Sequence, residues 1–126
     1  IMNEKTRKIG YWIATVLIVL PMAMGGAMDV MGGPDIAEAM KHLGYPMYFT
    51  MLLGVWKLLS VPALLAPGLA RLKEWAYAGV AFDLTAAAVS HAAVGDELPK
   101  IIIPIVLLGI AAASWALRPD SRKLQG

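Results

Sequence analysis

The stretch LKEWAYAGVAFDLTAAAVSHAA, from Leu72 to Ala93, decides how this chain folds. It is apolar enough to cross a bilayer, and as a helix it spans about 33 Å, which matches a hydrocarbon core of about 30 Å. Asp83 stands near the middle of the stretch. A charged side chain at that depth costs on the order of 3 kcal/mol, so we expect Asp83 to face the interior of a helix bundle and to have a partner.

The composition predicts an integral membrane protein, because 59% of the 126 residues are hydrophobic and only 16% are charged. Four apolar runs each approach the ~20 residues that a spanning helix needs. They cover about 9–28, 47–66, 72–93 and 98–117. The first run could instead be a signal peptide, but its length and the lack of a small-residue cleavage pattern favour a spanning helix. We therefore predict an all-α fold, a membrane four-helix bundle that forms one domain over residues 1–126.

The charged residues predict the topology. Basic residues concentrate before the first run, in the second connection and in the tail: Lys5, Arg7, Lys8, Arg71, Lys73, Arg118, Arg122 and Lys123. The first and third connections are acidic, with Asp29, Asp35, Glu38, Asp96 and Glu97. By the positive-inside rule both chain ends are cytoplasmic, in a multi-pass protein of the inner (plasma) membrane.

The composition also excludes several functions. The chain has no cysteine, which excludes disulfides, thiolate metal sites, iron–sulfur clusters and thiol redox chemistry. Any redox role must use a bound cofactor; we expect no intrinsic cofactor or metal, and a quinone is the candidate. The basic residues cluster at helix ends rather than on one face, so we expect no nucleic-acid partner.

The first connection contains a short helical pattern at about 35–43, with Ile36, Met40 and Leu43 on one face. Asp35 could cap its start, and Gly44 and Pro46 end it. We predict an amphipathic helix at the outer interface. It could be a lid over a site or a plain surface linker.

Lys57 is the predicted partner of Asp83. Each lies about 15 Å from the inner end of its helix, and the short Pro67-Gly68 connection makes the two helices antiparallel neighbours. The pair is either structural or a ligand-polarising, proton-accepting pair in a cavity.

A polar stripe continues outward from Asp83 through Ser90 to His91, at the level where Asp29 leaves the first helix. Asp29 is either a solvated or capping carboxylate or a member of this site. We predict a cavity that opens toward the outer side between the first three spanning helices. Lys57, Asp83 and His91 are the catalytic candidates.

Three blocks resemble the DoxX-like family of small bacterial four-helix membrane proteins. They are GGAMDVMGGPDIAEAMKHLGYP from Gly25, LGVWKLLSVPALL from Leu53 and RLKEWAYAGVAFDLTAAAVSHAAVGD from Arg71. The resemblance implies a four-helix bundle with both ends cytoplasmic. The family takes its name from a subunit of a thiosulfate:quinone oxidoreductase, and related proteins include redox-associated subunits and receptor-assembly chaperones. Without a CxxC motif or facing haem ligands, intrinsic electron transfer is not expected.

The candidate ligand-binding set comprises eight residues: Asp29, Tyr45, Lys57, Glu74, Tyr77, Asp83, Ser90 and His91. Glu74 lies on the side of its helix opposite Asp83, and its alternative role is pairing with Arg71 and Lys73.

Three function classes fit this set, and whether the chain is an enzyme stays open. The site binds a quinone or another small lipophilic molecule as part of a redox membrane subunit, or forms a proton relay in a small-solute transporter, or only locks helices in an assembly subunit. The expected partners are the lipid bilayer, a second copy of the chain and a redox-enzyme subunit.

Overall fold

The computed structural model describes residues 2–123, and within that range the chain is helical with no strand. A short 3-10 turn at Asp120–Arg122 follows five α-helices. These helices are α1 Glu4–Met31, α2 Pro34–Leu43, α3 Met47–Leu65, α4 Ala70–Ala93 and α5 Leu98–Ala116. The all-α prediction is confirmed, and each predicted helix is present. The predicted domain limits, residues 1 and 126, lie outside the described residues.

Local sequence sets the helix ends. The Asn3 side chain accepts a hydrogen bond of 2.8 Å from the Thr6 N–H and so caps the start of α1. α1 ends at Met31, and Gly32, with a φ of 61°, caps it in the left-handed conformation. α2 then begins with Pro34 and ends at Leu43, and Gly44, with a φ of 88°, caps it. Both turns need the left-handed backbone that glycine adopts without strain.

Three helices, α1, α3 and α5, are long and apolar enough to cross a membrane by length and composition. α4 has 24 residues, which is about 36 Å of helix, but it carries four charged side chains. They are Arg71, Lys73, Glu74 and Asp83. Residues 2–123 thus hold three candidate spans where the sequence predicted four.

The four long helices form a ring. α1 packs against α3 and α5, while α4 packs against α5 and α3. Their core is apolar and contains Ile18, Met22, Leu64, Val80 and Leu84. α3 contacts α1 more extensively than it contacts α4, so the α3–α4 seam is the looser one.

Two glycines allow α1 and α3 to approach closely. A Cβ atom at Gly54 would lie 2.8 Å from the Gly26 carbonyl oxygen and 2.8 Å from the Val30 amide nitrogen. A Cβ at Gly26 would lie 3.0 Å from the Gly54 carbonyl oxygen. Small residues permit this kind of backbone contact between membrane helices. The crossing brings the polar residues of α1 and α3 within bonding distance.

Lysine and arginine side chains stabilise the end of the bundle where α1 begins and α5 ends. Lys73 is 1% exposed, and its ammonium donates to the carbonyls of Ala63 at 3.1 Å, Gly68 at 2.8 Å and Ala66. Arg122 donates to the Leu64 and Leu65 carbonyls, each at 3.0 Å. These bonds satisfy carbonyls that the end of α3 leaves without helical partners, at the pole of the helix dipole that favours cations.

Candidate functional site

Lys57 forms an ion pair across the α1–α3 crossing. Its ammonium lies 2.9 Å from the Asp29 carboxylate, and the Asp29 side chain is only 7% exposed. A Cβ at Gly25 would lie 3.7 Å from the Lys57 ammonium, so the glycine surface of α1 makes room for the lysine. The sequence predicted Asp83 as the partner, and this prediction is corrected. Residue spacing matched the depth of Lys57 to Asp83 and placed Asp29 nearer the outer end, but the close α1–α3 crossing brings Asp29 to the lysine.

Asp83 lies near this pair without joining it. No described residue forms an ion pair within 4.0 Å or a hydrogen bond with the Asp83 side chain. It is nevertheless near enough to Lys57 and Asp29 for both charges to act on it. The site is therefore an ion pair with a third, unbonded carboxyl group beside it.

These groups line a cavity of about 650 Å³ between α3 and α4. α1 contributes Met22 and Asp29 to its wall, while Met40 and Leu43 of α2 lie at one end. Cavities of this size accept small organic ligands, and they are usually apolar with a few polar groups that fix the ligand. The cavity lies where the sequence analysis predicted one, because residues of α1, α3 and α4, the first three of the predicted spanning helices, all line it, with α3 and α4 as its long walls.

The α2 end of the cavity contains a hydrogen-bonded cluster. His91 Nδ1 lies 2.6 Å from one Asp96 carboxylate oxygen, and His42 Nε2 lies 2.7 Å from the other. Tyr45 shares a hydrogen bond with Ser90. Hydrogen bonds from His91 and then His42 lower the pKa of Asp96 below its usual value, and the Lys100 charge acts in the same direction. One carboxylate thus links α2 to the end of α4.

Sequence reasoning assigned no role to His42 or Asp96 in this cluster. The sequence did contain a pattern that could have predicted the cluster. His42 is in the last turn of the predicted α2 helix, and Asp96 follows five residues after His91. Within residues 2–123, no group of three His, Cys, Asp or Glu side chains could hold a metal ion. Here both imidazoles are directed at the carboxylate oxygens between them.

Six of the eight predicted ligand-binding residues line the cavity: Asp29, Tyr45, Lys57, Asp83, Ser90 and His91. The structure places the other two, Glu74 and Tyr77, at a separate cleft of about 290 Å³ between α4 and α5.

Both of those residues have partners on α5 or beyond it. Glu74 pairs with Arg118 at 3.0 Å and accepts from the Trp115 indole at 2.9 Å, rather than pairing with its sequence neighbours Arg71 and Lys73. The Tyr77 hydroxyl bonds Ser114 at 2.8 Å. Both side chains therefore hold α4 against the neighbouring helix.

The comparisons with known proteins agree with the resemblance seen in the sequence. The model of the DoxX-like family matches residues 13–114, which is most of the chain. No curated protein and no solved structure gives a significant match. Together with the three apolar helices, the family indicates a membrane protein. The chain belongs to the DoxX-like family.

Proposed function

We propose that the protein is a multi-pass protein of the inner (plasma) membrane, with α1, α3, α4 and α5 crossing the bilayer and both ends cytoplasmic. The basic end supports this orientation, because cytoplasmic ends of membrane helices are enriched in Lys and Arg. A crossing by α4 is supported by where its charges lie. Lys73 is buried against carbonyls, and Asp83 lines the cavity. On this placement α2 lies at the outer surface.

The polar site in the cavity binds a small lipophilic molecule of the quinone class, and the protein serves as a membrane subunit associated with an oxidoreductase. One observation carries this proposal: the unbonded Asp83 carboxyl group shares a cavity of about 650 Å³ with a lysine. A polar group inside a membrane helix is costly, so an Asp83 that serves only the fold would be expected to have a protein partner.

Each polar residue has a definite role in binding such a ligand. The Lys57 ammonium has three donors, of which one serves Asp29, so the others can polarise a carbonyl or phenol oxygen. Asp83 or His91 then exchanges a proton with the ligand. Because Nδ1 of His91 is bonded to Asp96, its Nε2 is the nitrogen that remains for this exchange.

A structural role has an observation of its own in its favour. The Lys57–Asp29 pair lies against the glycine crossing, where it would lock α1 to α3. In that case the protein would be an assembly subunit. The proton-relay transporter has less support, because the cavity lining beyond Ser60, toward the basic end, contains no titratable side chain.

Thermal unfolding in lipid nanodiscs separates these functions. We expect a short-chain benzoquinone or its quinol to raise the unfolding temperature of the wild type, and Asp83→Asn to abolish that rise. Asp35→Asn is the matched control, because Asp35 is an exposed carboxylate in the first turn of α2, and it should respond like the wild type. If neither redox form stabilises the wild type, and no ligand co-purifies with it, the binding function is overturned.

A further inference from the structure

The cavity is polar along only half of its length. All six polar residues of the predicted site lie between its middle and the α2 end. The other half, toward the basic end, has two polar groups in its lining, the Ser60 hydroxyl, which donates to the Lys57 backbone carbonyl at 2.6 Å, and the indole N–H of Trp75. The rest of that half offers a ligand apolar contacts.

The apolar half is long enough to hold a chain. From Asp83 to Leu72, α4 lines it over eleven residues, which is about 16 Å. Ala76 and Gly79 leave space in this wall, and a Cβ at Gly79 would meet no atom within 4 Å. Ala63 is the corresponding small residue on α3.

The cavity also reaches the side of the helix ring. Three aromatic residues line it and yet are largely exposed: Trp56 by 54%, Trp75 by 68% and Phe82 by 74%. They come from α3 and α4, which contact each other less extensively than any other neighbouring pair of helices in the ring. On the proposed membrane placement, this opening faces lipid rather than water.

The charges of the site select the head group of a ligand. Lys57 already has a carboxylate partner in Asp29, and Asp83 adds a second carboxyl group nearby. An anionic head would meet two acids and one base. An uncharged head that donates a hydrogen bond to Asp83 and accepts one from Lys57 satisfies both groups.

We propose, as a deepening of the binding function and resting on it, that the ligand is a single-chain amphiphile with an uncharged hydroxyl-bearing head. It enters sideways from the bilayer through the α3–α4 seam. The head binds between Lys57 and Asp83, and the apolar chain runs about 16 Å toward the Leu72 end.

Photolabelling of the protein in nanodiscs tests this proposal. The probe is a long-chain alkylphenol with a diazirine at the end of its chain, and a short-chain alkylphenol diazirine is the second probe. We expect the long probe to label the Leu72 end of α4 or the Ala63 region of α3, and excess unlabelled alkylphenol to prevent this labelling. A fatty acid of equal length should not prevent it.

Gly79→Leu fills the apolar half and should abolish the competed labelling by the long probe. Gly109→Leu is the matched control, since Gly109 is also a helical glycine with open space around it but does not line the cavity. It should label like the wild type. The short probe should label near Asp83 in both variants.

The remaining outcomes each overturn a defined claim. If the short probe gives competed labelling near Asp83 but the long probe does not label the apolar half, the chain-binding inference is wrong and the binding function stands. If the fatty acid competes as well as the alkylphenol, the uncharged head is wrong. If labelling by both probes spreads over the lipid-facing surface without competition, the inference and the binding function are both wrong.

Discussion

Two lysines are taken out of water in this fold, and they are satisfied in different ways. Lys73 is 1% exposed, and its ammonium donates to three backbone carbonyls at the end of α3 and in the connection that follows it. The Lys57 side chain is 20% exposed and bonds one carboxylate, with a second acid unbonded nearby. Lys73 has no donor left for a ligand, whereas Lys57 has donors that face a cavity. The difference separates a lysine that holds the fold from one that can hold a ligand.

The substitution with the largest expected effect disrupts the surroundings of Lys57 and leaves those of Lys73 intact. In Gly54→Val the new Cβ atom would lie only 2.8 Å from backbone atoms of α1. The two helices, α1 and α3, must therefore separate. We expect a loss of about 3 kcal/mol in unfolding free energy, since overpacking typically costs about 1–3 kcal/mol and here the obstacle is backbone. Thermal unfolding measures it. Gly109→Val, which meets open space, should cost far less; equal losses would contradict the close crossing.

The sequence was sufficient to predict the helices, since apolar runs and Gly or Pro turns mark their ends. It also brought together Asp83, Ser90 and His91, because they share one helix and its periodicity places them on one flank. It could not predict the partner of Lys57. Depth along a helix is readable from residue spacing, but which neighbour comes closest depends on the glycine crossing, and the sequence alone does not reveal it.

The dependence on helix packing also explains why the sequence did not distinguish Lys73 from Lys57. Lys73 was interpreted as one of the basic residues that set the topology, because its position after Arg71 resembles the basic flank of any membrane helix. Its burial depends on how the α3–α4 connection folds back over it. Glu74 and Tyr77 were assigned to the ligand-binding set, although helical spacing already placed Glu74 opposite Asp83.

Removing the Lys73 ammonium should give the next largest effect. Lys73→Met leaves carbonyls at the end of α3 without their donor, and an unsatisfied buried acceptor costs about 1–3 kcal/mol. We expect a loss of that size in unfolding free energy with ligand binding retained. Arg71→Met, at an exposed position two residues earlier, is the control and should be nearly neutral. A loss of binding without a loss of stability would assign Lys73 to the site instead.

A smaller effect should appear with pH at the α2 end. The pKa of Asp96 is lower in the folded protein than its usual value of about 3.9, because His91 and His42 hydrogen bond to the ionised form. The stabilisation is therefore fully present above pH ~4 and is lost as the pH falls through the lowered pKa.

Hydrogen exchange of the α2 amides measures this attachment. We expect protection of α2 to hold at neutral pH and to fall in acid below pH ~4, the usual range of aspartate. Asp96→Asn should lower the protection already at neutral pH, while Glu97→Gln, an exposed neighbour, should leave it unchanged. Equal protection of α2 in wild type and Asp96→Asn would show that the two histidines do not hold it.

The central claim is that Lys57 is bonded to Asp29 and leaves Asp83 for a ligand. Two double-mutant cycles on unfolding free energy test it, one with Lys57→Met and Asp29→Asn, the other with Lys57→Met and Asp83→Asn. Contacting residues couple by about 0.5–3 kcal/mol, so we expect about 1–3 kcal/mol for Lys57 with Asp29 and a smaller coupling for Lys57 with Asp83, which is near the lysine but does not bond it. Coupling of Lys57 to Asp83 that equals or exceeds its coupling to Asp29 would contradict the account.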